Sequence, residues 1–316
     1  MFVCGIDENG LGPKLGPLVV TGVLLELPEY RARDVGRALD EALRGTGGAV
    51  GDSKRTLGFD RMKDGEPVVL GMLATALGAV PATFADLFRA VTLLPEAQLQ
   101  SECPPGAFPM CWSPGLALPL WCGGAPIPDG RAIRASLERQ GIRLRDVAVA
   151  MSCPGWFNRD LRGGNYRNKL HLEFALIEGL LERFRARAGE RLTAYCGRLG
   201  GTRTGYPAFF VRLKDDPCTG PFEQPNCVTW AFERLGDVSF VDDAEDAHPP
   251  VALASMIGKF VREGFLERLN RFFRAAVPDL RPTSGYHNPV TEAFVAGTAA
   301  ARRERGVPDA CFVRDR

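Results

Sequence analysis

No stretch of this 316-residue chain approaches the roughly 20 consecutive apolar residues that a bilayer-spanning helix needs, so no membrane association is expected. The opening MFVCGIDENG also lacks the basic start and long apolar core of a secretory leader, and a cytoplasmic location is expected. There is no C-x-x-C pair. The nine cysteines are scattered and odd in number, and Cys4 and Cys196 lie in apolar, strand-like runs, which argues for reduced thiols and against a disulfide framework. Cys103, Cys111 and Cys122 match no common zinc spacing and have no histidine beside them, so they read as packing residues. Repeats and low-complexity tails are absent as well. Charge of one sign is missing too: 39 Lys and Arg balance 38 Asp and Glu, so overall charge selects neither nucleic acid nor a small molecule as partner.

What is present is enough apolar sequence, 45% of the residues, for one sizeable core fold carrying an insertion. Phe2 to Asp7 is short and apolar; after the turn GLGPKLGP, the Val- and Leu-rich run Leu18 to Leu27 reads as a second strand hairpinned to the first. Arg31 to Leu43 has helical spacing, and Pro67 to Leu73 fits either a strand or a helix. Residues 83–128, with ECPPGAFPMCWSPGLALPLWCGGAP as their least periodic part, read as an irregular, Pro- and Cys-rich insertion on the surface. Further on, Leu144 to Met151 reads as a strand, and Leu170, Phe174, Ile177, Leu181 and Phe184 mark one face of an amphipathic helix. Strands are expected at Leu192–Cys196, Ala208–Leu213, Val228–Phe232 and Val238–Val241. A long helix then lies between proline boundaries in PPVALASMIGKFVREGFLERLNRFFRAAVP, and a last one spans Val290 to Arg302. The expected fold class is α/β, a mixed sheet flanked by helices, with residues 1–82 and 129–316 forming the core and its C-terminal helices.

Asp7 and Glu8 stand side by side where the first strand meets a glycine-rich turn. A regular strand aims neighbouring side chains at opposite faces, so these two approach one point only at a strand end loosened by Gly10 and Gly12. A divalent cation would remove their repulsion, hard ions such as Mg²⁺ preferring oxygen ligands. The alternative is a solvated Glu8 beside an Asp7 that satisfies turn amides.

Five segments, in this order, resemble the type 2 ribonuclease H family: GIDENGLGPKLGPLVVTGVLL, GDSK, RLGGTRTGYPAFF from Arg198, EDAHPPVALASMIGKFVRE from Glu245, and SGYHNPVTEAF from Ser284. The resemblance covers the first sixty residues and nearly everything after Phe157. It implies a ribonuclease H-like fold and hydrolysis, with Mg²⁺ or Mn²⁺, of the RNA strand of RNA-DNA hybrids or of DNA at an embedded ribonucleotide, by a chain expected to be monomeric.

By that resemblance Asp7 and Glu8 are the family's opening acidic pair, and a later acid matches Asp246, with Glu245 one residue away and Asp242 and Asp243 further upstream. Clustered carboxylates are what two-metal phosphodiester hydrolysis requires. A further expected Asp is here Gly197, and Asp215 and Asp216 are displaced acids with no sign that they reach the site. Gly10, Leu11 and Gly12 match a Gly-Arg-Gly turn that contacts the ribose 2′-hydroxyl, Leu11 replacing the arginine. Tyr286 matches a tyrosine that stacks at the junction sugar, Lys54 and Lys259 match basic positions near phosphates, and Arg262 lies one helical turn beyond Lys259. Arg198 and Arg203 flank Gly200 and Gly201 in the same groove; His171 and His248 read as structural, His287 as a polar cap or proton shuttle, and Ser255 as a small packing residue. Two readings follow from Gly197: a metal-dependent endonuclease, or a nucleic-acid-binding pseudoenzyme of the same fold. A nuclease acting on another structured nucleic acid is a third.

Overall fold

A computed structural model describes residues 1–58, 61–112, 115–200 and 205–315. Seven strands form one mixed sheet: β1 (Phe2–Asn9), β2 (Leu18–Glu26), β3 (Arg143–Ser152), β4 (Leu192–Gly197), β5 (Cys218–Gln224), β6 (Cys227–Phe232) and β7 (Gly236–Val241), in the order β3-β2-β1-β4-β7-β6-β5. β1, β4 and β7 run parallel at the centre, and antiparallel pairs β1/β2, β2/β3, β6/β7 and β5/β6 complete both flanks. The register sets Ile6 beside Cys196 and Gly197 beside Val241, so three central strands end on one line.

The helices in chain order are α1 (Ala32–Ala42), α2 (Ser53–Thr56), α3 (Met62–Leu77), α4 (Phe84–Val91), α5 (Glu96–Gln100), α6 (Phe108–Trp112), α7 (Gly130–Arg139), α8 (Pro154–Arg162), α9 (Lys169–Ala188), α10 (Ala244–Ala247), α11 (Pro249–Arg274), α12 (Pro289–Gly297) and α13 (Ala299–Glu304). None of the described helices is long and apolar enough to cross a membrane. Period-two alternation divides β1 between two layers. Val3 packs with Leu253, Met256 and Ile257 of α11, whereas Cys4 and Ile6 pack with Phe174, Ile177 and Leu181 of α9. Gly5 lets α11 lie directly on the strand, since a Cβ there would sit 2.2 Å from the Pro250 carbonyl carbon.

Pro67 lies inside α3, which settles that ambiguous stretch as helix. The segment 83–128, expected at the surface, instead enters the core. Phe84, Phe88 and Trp112 are buried and meet the Phe265 ring edge-on, with centroids 5.2, 4.9 and 5.8 Å away. Its helices are too short, and its prolines too frequent, for helical periodicity to show. The buried Glu66 carboxylate clamps the same segment by accepting the backbone N–H groups of Leu120, Trp121 and Cys122. Cys122 is therefore held beside Glu66, away from Cys103 and Cys111, which line another cavity with Cys153 and Cys311.

The strand expected at Ala208–Leu213 is absent. Two 3₁₀ turns, Tyr206–Phe209 and Leu213–Asp215, stand there, and the amides of Val211, Arg212 and Leu213 all donate to Glu178 Oε1 at 2.9 Å rather than to a neighbouring strand. β5, which the sequence did not suggest, is exposed along its whole length and so shows no alternation to read. The last expected helix is two, α12 and α13, meeting at Thr298.

Candidate metal and nucleic-acid site

A cleft of about 1070 Å³ opens at the ends of the three parallel strands. Asp7 and Glu8 reach it from β1. Gly10, with φ +102°, turns the chain immediately afterwards, in a conformation that would strain any other residue. Asn9 Nδ2 donates to Asp7 Oδ2 at 3.1 Å and to the Ser255 carbonyl at 3.3 Å, fixing the strand end to α11. Glu8 is held from the other side by the Leu11 amide.

Burial pushes the Asp7 carboxyl up to about 7; the Ser255 side chain opposes this, and the Glu8 and Glu245 carboxylates add to it. Glu8 is likewise raised by burial, against the Leu11 amide and the positive charges of Arg314, Arg262 and Lys169. Both shifts describe carboxylates whose ionised forms lack sufficient compensation, the condition that a cation relieves.

Of the two neighbouring acids on α10, Glu245 and not Asp246 lines the cleft. Asp243, with φ +47° the sole non-glycine residue of positive φ among those described, turns the chain from β7 into α10. Successive residues of that helical turn point about 100° apart. Glu245 lines the cleft, 3.6 Å from Lys54 Nζ, while the Asp246 side chain is 55% exposed, 3.8 Å from Arg55 and outside the lining. Asp242 lines the cleft too but is engaged by Arg198 at 2.6 Å.

Gly10, Leu11, Gly12 and Tyr286 line the same cleft, and no atom beyond its chain neighbours lies within 4 Å of where a Gly12 Cβ would be. Lys14 and Leu15 amides donate to the Gly285 carbonyl and tie the glycine turn to the Tyr286 loop. Tyr286 is half exposed, its ring 4.9 Å from the Arg262 guanidinium. Arg262 itself is buried, 2% exposed, and donates from Nη1 to Glu263 and from Nη2 to the Ser284 carbonyl, while its Nε has no partner among the described residues. It lines the cleft beside Lys259, with its guanidinium behind the Tyr286 ring.

Lys54 and Lys259 do line the cleft. Lys259 is half-buried, donates to the Ser53 carbonyl at 3.3 Å, and has its pKa lowered mainly by burial. Ser255 proves to be a wall residue, bonded to Ser53 at 2.9 Å. Arg314, which carried no sequence signal, donates to the Pro13 carbonyl and stacks over Phe157 at 5.0 Å. His287 is exposed and outside the lining, Asp216 is buried against Arg234 and Leu235, and Arg203 lies outside the described residues. Gly197 lines the cleft without a side chain; a Cβ there would lie 3.2 Å from Asp7 Oδ1. Among the described residues, no three Asp, Glu, His or Cys side chains already converge closely enough to hold a metal ion.

Solved structures share this architecture. Bst-RNase HIII in complex with Mn²⁺ is 16% identical over 99% of this chain and 66% of its own, with a TM-score of 0.51. Its fold is that of the type 2 ribonucleases H. This chain thus spans about two thirds of that RNase HIII. RNase HII from Archaeoglobus fulgidus, in its complex with PCNA, is 18% identical over 100% of this chain and 95% of its own, with a TM-score of 0.44. No family model and no curated protein matches the sequence. In the ribonuclease H fold described here, the acids at the β1 end, the acid on α10 and the glycine turn line one cleft.

Proposed function

We propose that this chain is a divalent-metal-dependent endonuclease that hydrolyses the RNA strand of RNA-DNA hybrids or DNA at an embedded ribonucleotide. The observation that carries the reading is that, in a type 2 ribonuclease H fold, Asp7, Glu8 and Glu245 line one cleft together with the open Gly10–Gly12 turn and Tyr286. The donors are carboxylate oxygens, which suit Mg²⁺ or Mn²⁺, and the raised carboxyls of Asp7 and Glu8 fit a site completed by positive charge. Asp7, Glu8 and Glu245 are the residues that would hold Mg²⁺ or Mn²⁺, and the chemistry such an ion would supply there is activation of a water and neutralisation of charge on the scissile phosphate.

The protein's own groups orient the strand. Main-chain atoms of Gly10 to Gly12 face the ribose 2′-hydroxyl, the group that separates RNA from DNA. Tyr286 packs against the sugar at the junction, fixed from behind by Arg262. Lys54 and Lys259 hold phosphates on the α2 and α11 side.

With Mn²⁺ or Mg²⁺, the protein cuts a DNA duplex carrying one ribonucleotide at that position, and Asp7→Asn lowers the rate by roughly two orders of magnitude or more. Equal cutting of an all-DNA duplex would remove the ribose-reading part of the proposal. Gly197 supports a second reading, since it leaves β4 without a carboxylate. Tight binding of the ribonucleotide-containing duplex without cleavage, together with cleavage by Gly197→Asp, would establish that pseudoenzyme reading.

A further inference from the structure

We infer that Glu173 is an additional acidic residue of the divalent-cation site, supplying from α9 a carboxylate that Gly197 does not supply from β4. The inference rests on the metal-dependent reading of the cleft. Other buried carboxylates of this protein show what such a group normally requires. Glu66 accepts three backbone amides, Glu178 Oε1 accepts three, and Asp216 accepts those of Arg234 and Leu235. Glu173 is the exception: it is 0% exposed, and neither carboxylate oxygen has a hydrogen-bond partner among the described residues.

A buried polar group left in this condition costs several kcal/mol unless something else meets it. Its position says what that is. Glu173 shares a cavity of about 60 Å³ with Asp7, Glu8, Gly197 and Arg198, and all four of these residues also line the main cleft. The two spaces therefore meet at the β1 and β4 ends. Glu8 follows Cys4 and Ile6 in the strand's alternation toward the α9 layer, so Glu173 and Glu8 approach from the same side.

Burial, and after it the neighbouring Glu8 and Asp7 carboxylates, disfavour a negative charge on Glu173 in the metal-free pocket, while Lys169, one helical turn earlier, favours it. A volume of that order holds about one or two waters, room enough for a small cation with part of its hydration shell. The absence of a side chain at Gly197 keeps the opening clear.

Calorimetric titration of the full chain with Mn²⁺, paired with thermal unfolding, tests this without turnover. Glu173→Gln, nearly isosteric, is expected to weaken Mn²⁺ binding roughly tenfold or more. Its metal-free melting temperature stays at or above that of the unaltered protein, because a neutral carboxamide replaces an ionisable carboxyl beside Asp7 and Glu8, while the Mn²⁺-induced rise shrinks. Glu173→Asp, which keeps the charge but draws it back by one methylene, gives an intermediate affinity. If Asp7→Asn loses Mn²⁺ binding while Glu173→Gln binds as before, the role assigned to Glu173 is overturned and the cleft reading stands. If Asp7→Asn also binds Mn²⁺ unchanged, the metal reading of the cleft fails, and this inference with it. A drop in the metal-free melting temperature of Glu173→Gln with unchanged Mn²⁺ affinity overturns it as well, marking a structural residue.

Discussion

At the scale of single residues, His248 shows how a titratable side chain is used for fold rather than chemistry. It caps the start of α11, its Nδ1 lies 2.9 Å from the Tyr30 hydroxyl, and its ring stacks on Tyr195 with centroids 3.8 Å apart. Burial lowers its pKa to about 4. The folded state thus prefers the neutral ring, and the positive end of α11 works in the same direction. The sign follows: this contribution is complete above the unfolded value near 6.5 and is lost as pH falls toward 4. After solvent screening the loss is on the order of 1–2 kcal/mol. Asp7, raised to about 7, contributes in the opposite sense, favouring the fold as pH falls from 7 toward 4 in the metal-free protein. Urea unfolding of the unaltered protein and of His248→Phe separates the two, since Asp7 is common to both: the difference in stability should change between pH 6.5 and 4. A pH-independent difference would mean that His248 does not stay neutral in the fold. At this scale the residues alone drew attention to the adjacent acids Asp7 and Glu8 at a strand end, whereas Tyr286 was singled out only through the family resemblance. It was least legible where orientation decides: Glu245 and Asp246 are equivalent as letters, and one helical turn entered through Asp243 distinguishes them. Glu173 was read as part of an amphipathic helix because nothing in that helix's spacing marks a carboxylate facing inward.

At the scale of elements, legibility followed periodicity. β1, β2 and α11 carry strong apolar patterns and were readable nearly to their ends, because their burial is continuous along one face or both. The stretch after β4 was not, for a reason located outside it. Its amides at Val211, Arg212 and Leu213 find their acceptor in Glu178 of α9, more than thirty positions earlier, so an apolar run that looks like a strand forms turns. A side-chain carboxylate here does the work of a neighbouring strand. Glu178→Ala is therefore expected to be among the more damaging substitutions of α9, removing on the order of 3 kcal/mol by leaving three amides without an acceptor. Glu178→Gln, which retains a carbonyl oxygen, should cost less than half of that. Chemical denaturation of both variants decides it, and equal losses would show that negative charge rather than the acceptor oxygen holds this turn.

At the scale of the whole molecule, the near-balance of charge, +1 over 316 residues, bears on how nucleic acid is met. Most cations near the cleft are already engaged. Arg198 is paired with Asp242 at 2.6 Å, and Arg262 is buried against Glu263. Lys54, 80% exposed in its side chain and 3.6 Å from Glu245, and the half-buried Lys259 are the cleft cations best placed for phosphates. Two phosphate contacts release few counterions. With a slope of about −0.9 per neutralised phosphate, affinity for a ribonucleotide-containing duplex should fall only about tenfold between 50 and 200 mM salt, far less than for a strongly basic DNA-binding surface. Lys54→Ala should weaken binding and reduce that slope by about one, whereas Arg262→Lys should alter the Tyr286 wall with little change in slope, because its charge does not reach the strand. Binding isotherms at several salt concentrations measure both quantities. A slope several times steeper would place the duplex on basic residues outside this cleft, such as the exposed Arg303 of α13. A slope near two that falls on removal of Lys54 would place the backbone between α2, α11 and the acids at the end of β1, where the reading of the site requires it.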